Sequence, residues 1–228
     1  MTRRVAMISE HASPVAILGG VDAGGQNVYV DALSRGLVAH GYETDVFTVR
    51  AELTHPEVVA WADGVRVIEI PLGTGGPLPK DALWPHMPAF RNAIDRFADC
   101  EGTEYDIIHG NFWMSGWVAA ELGLQWRTPT VQIFHATGVT KLREQGAADT
   151  SPAGRIEVEK AVVRTVDRVI AQCPAERDEL LAEYGARADH IALIPSAVDT
   201  DRFQPVAKSF ASSPVAKPPM PVPCVESS

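Results

Sequence analysis

Two stretches of the chain decide the fold: residues 5–9 read VAMIS, and residues 24–41 read GGQNVYVDALSRGLVAHG. The first is a short apolar run of the kind that forms a buried strand. The second has helical spacing from Gly25 to His40, and Gly41 follows as a stop signal. Its apolar residues predict a buried helix side made of Val28, Ala32, Leu33, Leu37 and Val38. A strand that passes through a glycine-rich segment into a helix is the opening unit of an α/β fold.

The same alternation continues along the chain. Further strands are predicted at residues 44–49, 65–70, 106–109, 130–134, 168–171 and 191–194. Further helices are predicted at residues 88–97, 115–124, 152–165 and 175–184. This order predicts a Rossmann-like parallel sheet with helices on both faces and right-handed crossovers. Sheets of this kind bind ligands beyond the carboxyl ends of their strands.

The character of the chain changes near its end. We predict one folded domain over residues 1–205 and a tail over residues 206–228, which reads VAKSFASSPVAKPPMPVPCVESS. The tail is rich in proline and serine and has neither helical nor strand periodicity. It is therefore predicted to be disordered or extended.

Composition excludes several classes of partner. The net charge is −9 and the isoelectric point is near 5.2, so neither nucleic acid nor an anionic membrane surface is an expected partner. No apolar run approaches the length that spans a bilayer. Cys100, Cys173 and Cys224 lie far apart, without disulfide or zinc spacing. We expect a cytoplasmic protein that has no transmembrane segment and binds no metal.

The glycine-rich loop Gly19–Gly25 joins the first strand to the first helix. Glycines let backbone amides approach a ligand, and a helix start favours an anion. The spacing matches neither the dinucleotide fingerprint nor a Walker A loop. The second strand ends at Val49 and Arg50, with no acidic residue to hold a ribose. A nicotinamide dinucleotide is therefore disfavoured, and a plain strand-to-helix turn remains an alternative.

Two histidines, His109 and His135, stand where predicted strands end. In this architecture such a histidine acts as a base or as a hydrogen-bonding partner of a ligand. The alternative for each is a structural histidine. The other five histidines, His11 among them, are in polar or loop-like settings and are predicted to be surface residues.

Charged side chains form a third group of candidates. Lys80 and Arg155 are suited to gripping a phosphate, the first as a point charge and the second through its planar fork. Each could instead be a solvated surface charge. Glu157 and Glu159 lie near a helix start. Acidic residues there interact favourably with the helix dipole, and this alone explains their presence without a role in binding.

Five short motifs together resemble the retaining family 4 glycosyltransferases of the GT-B fold. In chain order they are GGQNVYV at 24–30, DIIHGNFW at 106–113, PTVQIFH at 129–135, RIEVE at 155–159 and IPSAVDTDRF at 194–203. Each motif is weak alone, but their order makes the combination specific. The similarity is to the branch that contains sucrose-phosphate synthases and the mycothiol-pathway N-acetylglucosaminyltransferase.

The resemblance implies a single GT-B half, the N-terminal domain on the acceptor side. The amides of Gly24 and Gly25 would face the donor diphosphate, and His135 would be the catalytic residue beside the transferred sugar. The residues implied to hold the acceptor and its phosphate are Asn27, Lys80, His109, Arg155 and Glu159. The resemblance implies no metal and no cofactor, only a nucleotide sugar as co-substrate.

The sequence departs from the family pattern at several of these positions. Asn111 replaces a histidine, Phe112 replaces a tyrosine, and Ala136 stands where the branch often has a threonine. Ser196 and Ala197 replace the usual Asn-Gly. These changes leave the identity of the acceptor open.

The expected activity is transfer of a hexosyl group from a nucleotide sugar to a sugar or sugar-phosphate acceptor, with retention. Nothing after Phe203 would fold into the family's second domain, so the chain alone is expected to be catalytically incomplete. A separate chain would supply that domain, or it has been lost. The alternatives are a non-catalytic sugar-phosphate-binding module, a truncated inactive paralogue and an unrelated nucleotide-binding Rossmann protein.

Overall fold

The computed structural model describes residues 2–15, 24–50, 56–74, 76, 78–200 and 204–205. Its strands are β1 (Arg3–Ile8), β2 (Tyr42–Val49), β3 (Val58–Ala62), β4 (Val65–Ile70), β5 (Ile107–Asn111), β6 (Thr130–Ile133), β7 (Arg168–Ala171) and β8 (Ile191–Leu193). They form one sheet in the order β3-β4-β2-β1-β5-β6-β7-β8.

Helices connect most of these strands. They are α1 (Gly25–Ala39), α2 (Met87–Glu101), α3 (Trp113–Trp126), α4 (Gly138–Gln145), α5 (Arg155–Thr165) and α6 (Pro174–Glu183). Short 3-10 turns lie at Lys80–Ala82, Trp84–His86, Gly146–Ala148 and Ala188–His190. Along the described chain no helix is both long enough and apolar enough to cross a membrane.

The sheet is parallel except at one edge, where β3 pairs antiparallel with β4. Strand β1 lies at the centre, and Val5 is paired with Thr44 of β2 on one side and with Ile107 of β5 on the other. From β1 the chain adds β2, β4 and β3 on one side of the sheet, and from β5 it adds β6, β7 and β8 on the other. This reversal makes a switch point between β1 and β5, where α/β sheets bind ligands.

Two separate apolar cores confirm the predicted helices on both faces. Ala6 and Ile8 of β1 belong to the larger core, which includes residues of α2 and α3. Met7, between them, belongs to a smaller core with Val30 of α1. Because successive side chains of a strand point to opposite faces, α1 covers one face and α2 with α3 covers the other.

The predicted buried side of α1 is wrong in part. Val28 is 49% exposed and Ala32 is exposed, whereas the buried residues are Asn27, Val30 and Ser34. Ser34 is accommodated because its hydroxyl donates to the carbonyl of Val30 at 2.7 Å. A polar side chain that finds its partner locally can be buried at little cost, and a hydrophobicity pattern does not detect this.

Two elements were missed by the sequence analysis. Strand β3 is a half-exposed edge strand whose sequence, VVAWA, shows no clean alternation, and a turn at Asp63 and Gly64 joins it to β4. Helix α4 has the polar sequence GVTKLREQ, and its start is capped because Thr137 Oγ1 accepts from the Thr140 amide at 3.3 Å. Both lack the strong apolar periodicity on which the other assignments rested.

By its contacts the chain falls into two units, residues 1–195 and 196–228, and the sheet with its helices belongs to the first. Residues 206–228 lie outside the described residues, so the disordered tail and the boundary at 205 stay predictions. The loop residues Gly19 to Ala23 also lie outside them.

Gly110 in β5 provides a test of the packing between the sheet and α3. A Cβ there would lie 2.3 Å from Gln132 Oε1, 3.0 Å from the Gly116 Cα and 3.2 Å from the Ala119 Cβ. Gly110→Ala is expected to lower the free energy of unfolding by about 1–3 kcal/mol, measured by urea denaturation. The matched control is Gly36→Ala in α1, where a Cβ meets nothing within 4 Å. It should stabilise the protein by about 0.5–1 kcal/mol; equal effects would contradict the close packing.

Candidate functional site

The carboxyl ends of β1 and β5 meet the start of α1. The side chain of Gln26, in the first turn of α1, donates from Nε2 to Ser9 Oγ at 3.3 Å and to the Asn111 carbonyl at 3.4 Å. Ser9 directly follows β1, and Asn111 ends β5. The helix start is therefore tied to the switch point of the sheet.

A cap built from Asn27 shapes this helix start. Its Oδ1 accepts from the Gly24 amide at 2.9 Å, and its Nδ2 donates to the Ser13 carbonyl at 2.9 Å. The first-turn amides of Gly25 and Gln26 have no partner within a helix. Gly24 and Gly25 are exposed, and a Cβ on either would meet no described residue within 4 Å. Of the predicted donor-side residues, Gly24 therefore has its amide engaged by the buried Asn27, and Gly25 has no amide partner among the described residues.

Asn111 links the two predicted histidines. Its Oδ1 lies 3.2 Å from His135 Nε2, and its Nδ2 lies 3.2 Å from His109 Nδ1 and 3.3 Å from the Ile8 carbonyl. With this amide orientation His109 accepts at Nδ1 and carries its proton on Nε2, which is buried and unpartnered among the described residues. His135 carries its proton on Nε2 and leaves Nδ1 as an acceptor.

The backbone and the surroundings of His135 are unusual. Its φ is +60°, in the left-handed region, and Phe112 shares this feature with a φ of +78°. Left-handed backbone at residues other than glycine is concentrated at functional sites. The Tyr29 ring packs edge-on against the His135 ring, with centroids 4.9 Å apart.

Both histidines are held neutral. Burial, followed by the neighbouring His109 and His11, lowers the pKa of His135 to about 3. Burial lowers the pKa of His109 to about 4. At neutral pH they therefore offer uncharged imidazoles, which donate and accept hydrogen bonds rather than supply positive charge.

The position of His109 differs from the prediction. The expected strand ended on this histidine, but β5 continues to Asn111, so His109 lies inside the strand and is only 6% exposed. The observed end of β6 at Ile133 likewise leaves His135 two residues beyond the strand. The residue at the strand end of β5 is Asn111, which joins the two histidines.

The assignment of His11 to the surface is wrong. Its side chain is 10% exposed, its Nδ1 lies 2.7 Å from Glu10 Oε1, and its ring meets the Phe112 ring edge-on at 4.9 Å. Glu10 is fully buried, and its carboxylate also accepts from the Ser115 hydroxyl. The position of His11 in the sequence could have predicted this, because Glu10 and His11 follow the end of β1 just as His135 follows the end of β6.

Arg155 and Glu159 form a buried ion pair on the first two turns of α5. Arg155 Nε donates to Glu159 Oε1 at 2.8 Å, and the two side chains are 2% and 0% exposed. The Glu159 carboxylate also accepts from the Gly138 amide at 2.9 and 3.0 Å and from the Tyr184 hydroxyl at 2.7 Å. Every oxygen of Glu159 thus has an internal partner, and its predicted role in holding the acceptor stays a prediction.

The ring of Phe112 brings the two predicted cations together. The Arg155 guanidinium lies 4.9 Å from the ring centroid and the Lys80 ammonium lies 5.5 Å from it. Arg155 Nη2 also donates to the Ala136 carbonyl at 2.5 Å, next to His135. The predicted acceptor-side residues and the histidine group therefore form one continuous site, which begins at α1 and ends at α5.

The neutral histidines make stability depend on pH. The folded-state pKa of His109 is below the ordinary 6.5, so the unfolded chain binds more protons between about pH 4 and 6.5. Stability is present above this window and is lost as pH falls through it. His109→Gln is expected to reduce the loss of unfolding free energy from about pH 7 to 4.5 by about 2 kcal/mol in urea titrations. If the unfolding free energy of His109→Gln fell with pH as steeply as that of the wild type, the result would contradict a neutral, buried His109.

Residues 23–202 match the family model described as Glycosyltransferase Family 4. The chain is 38% identical over 213 residues to a D-inositol 3-phosphate glycosyltransferase of Kineococcus radiotolerans, with 92% of this chain and 49% of that protein covered. The chain spans about half the length of the curated relatives it matches. Its activity as a whole protein is therefore treated below as a proposal.

Two solved structures share the fold of this chain. A sucrose-phosphate synthase from Thermosynechococcus elongatus has a TM-score of 0.83 and 32% identity, with 92% of this chain and 52% of that chain covered. Alr3699/HepE of Anabaena, solved in complex with UDP-glucose, shares the fold at a TM-score of 0.55 and 15% identity, with 87% of this chain and 45% of that chain covered. The sheet is one Rossmann-like half of the GT-B fold. By its sequence and by its sheet, this chain belongs to glycosyltransferase family 4.

Proposed function

We propose that this chain supplies the acceptor-side half of a retaining hexosyltransferase, which moves a hexosyl group from a nucleotide sugar to a sugar or sugar-phosphate acceptor. The observation that carries the proposal is one juxtaposition at the switch point of the sheet. The open start of α1, the neutral His135 and the Phe112 ring with its two cations lie in one continuous site. The names of the similar proteins, which act on inositol phosphate or make sucrose phosphate, support the class of acceptor.

The start of α1 is the proposed diphosphate site. Aligned peptide dipoles give a helix start partial positive charge, and its free amides donate to anionic oxygens. The open space over Gly24 and Gly25 permits the close approach that a diphosphate needs. The donor enters as a co-substrate, and the proposal includes no metal and no further cofactor.

His135 is the proposed catalytic residue. Because its Nε2–H points to Asn111, its Nδ1 lone pair remains to accept a hydrogen bond from a hydroxyl of the transferred sugar. The backbone and Asn111 hold the neutral His135 ring in place. Its Nδ1 can therefore orient the transferred sugar without adding a charge beside the reacting carbon. The sparse cysteines and the acidic composition support a cytoplasmic setting for this activity.

The function is tested by supplying the other half of a two-domain transferase. The chain is mixed with, or joined to, the C-terminal half of the Kineococcus relative and given nucleotide sugars with candidate acceptors. We expect the combination to release the nucleotide and to form a product with retained anomeric configuration, and the chain alone to release little nucleotide. His135→Ala should lower the transfer rate of the combination by about 100-fold or more. Acceptor binding without transfer in every combination would favour a binding module and contradict the proposal.

Gly25→Ala separates binding from folding at the donor side. A Cβ at Gly25 meets nothing within 4 Å, so the thermal midpoint should not fall. The added methyl group occupies the space that the diphosphate is proposed to approach, so the affinity for UDP, GDP or ADP, whichever binds best, should fall about 10-fold or more in calorimetric titration. Gly36→Ala, on the same helix, is the matched control and should bind normally. Unchanged affinity in Gly25→Ala would place the diphosphate elsewhere.

A further inference from the structure

We infer that the acceptor held beside Phe112 is an uncharged sugar or polyol, and that a phosphate monoester is disfavoured there. The inference rests on the proposed function, because it names the substrate class of the same site. It follows from the balance of charge around Phe112 and from the side chains that surround its ring.

Three of the five N–H groups of Arg155 are engaged within the protein, which leaves one on each terminal nitrogen of a buried side chain. Its Nε is bonded to Glu159 at 2.8 Å, its Nη1 to Ser151 Oγ at 3.1 Å and its Nη2 to the Ala136 carbonyl at 2.5 Å. The whole residue is 3% exposed. A side-on fork, which uses Nε, would require the guanidinium to abandon the buried Glu159 carboxylate. An end-on fork would have to use the two terminal nitrogens that already bond Ser151 and the Ala136 carbonyl.

Lys141, the cation linked to Arg155 through Ser151, is also neutralised. Its Nζ donates to Ser151 Oγ at 3.0 Å and lies 3.1 Å from Asp149 Oδ1 and 3.9 Å from Asp81 Oδ2. Desolvation of Asp149 opposes ionisation, but hydrogen bonds from Ser151 and the Lys141 charge together outweigh it and lower the pKa of Asp149 to about 2. Asp149 is therefore ionised at neutral pH, and the pairing is between full charges.

The connected group consequently carries no net positive charge. Its cations are Lys80, Lys141 and Arg155, and its carboxylates are Asp81, Asp149 and Glu159. A phosphate dianion that leaves water needs compensating charge, and a balanced group cannot provide it. Lys80 alone remains to face a ligand across the Phe112 ring, and it is next to Asp81 in the chain.

The other surroundings favour the faces and hydroxyls of a neutral carbohydrate. Phe112 and Ala136 carry no side-chain donor, and Phe112 continues into an aromatic group with Trp113 and Trp84, whose ring centroids lie 4.7 Å apart. Phe112 is 6% exposed and Trp113 is 1% exposed, so the partly exposed Trp84 is the ring of this group that offers apolar surface to the C–H face of a sugar. The buried Trp113 Nε1 has no partner within the described part of the chain.

The test compares matched pairs of ligands on the full chain: myo-inositol with inositol 3-phosphate, glucose with glucose 6-phosphate and fructose with fructose 6-phosphate. Dissociation constants are measured by saturation-transfer NMR and calorimetry at low ionic strength. In the pair that binds best, the unphosphorylated member is expected to bind at least as tightly as its phosphate. Phosphate binding that is about 5-fold tighter and weakens with salt would overturn the inference and leave the proposed function standing.

A charge variant tests the stated cause. Asp81→Asn with Asp149→Asn leaves two positive charges uncompensated, so the affinity for the phosphorylated member should rise about 10-fold while that for the neutral member stays constant. Asp178→Asn with Asp189→Asn removes the same charge from exposed positions and should change neither. A phosphate affinity that does not rise would overturn the charge argument. No binding of any pair, together with no binding of a nucleoside diphosphate, would overturn the proposed function and the inference with it.

Discussion

The side-chain amide of Asn111 holds the ends of three neighbouring strands in one arrangement. It donates to the Ile8 carbonyl in β1 and to the ring of His109 within its own strand, and it accepts from His135 beyond β6. A single buried amide thereby fixes the tautomers of two histidines and connects them to the switch point of the sheet. Since Asn111 is fully buried, away from water, each of these hydrogen bonds is stronger than it would be in water. The Nδ2 end of the amide faces His109 and donates to it, whereas the Oδ1 end faces His135 and accepts from it. The orientation of this amide therefore decides which nitrogen of each ring carries the proton.

Charge is handled differently on the two sides of the site. At the start of α1 the positive potential comes from free backbone amides, which cost no desolvation of an ionised side chain. On the other side, Arg155 is buried against Glu159, and a buried pair of this kind contributes more to a fixed geometry than to net stability. Under the proposed function, the donor end of the site would attract an anion, and the acceptor end would be aromatic and balanced in charge. This division suits the proposed reaction, in which the nucleoside diphosphate leaves the transferred sugar and a hydroxyl of the acceptor bonds to that sugar in its place.

The chain's apolar runs were sufficient to predict the sheet, because strands buried on both faces carry continuous β-branched and aliphatic sequence. The edge strand β3 was missed since its residues alternate only partly between core and solvent. The face of α1 was misjudged because Asn27 and Ser34 are buried with local hydrogen bonds, which hydropathy does not register.

Sequence reasoning located His109 and His135 but not the amide that joins them, and it placed His11 on the surface although its contact with Glu10 holds it inside. Contacts between residues about 100 positions apart, such as Ser115 with Glu10, depend on which strands become neighbours. No local pattern encodes that. The loop before Gly24 and the segment after Pro205 lie outside the described residues, so the assignments there stay predictions.

The measurement that tests the central claim most directly is amide chemical-shift mapping of the ¹⁵N-labelled chain during titration, first with a nucleoside diphosphate and then with a polyol. We expect the diphosphate to shift the amide signals of Gly25 and Gln26, and the polyol to shift those of residues around Phe112 and His135. Two adjacent, separable footprints at the carboxyl edge of the sheet are the expected result. Footprints at the opposite edge, or no change at the start of α1, would contradict the assignment of this chain as the acceptor-side half of a glycosyltransferase.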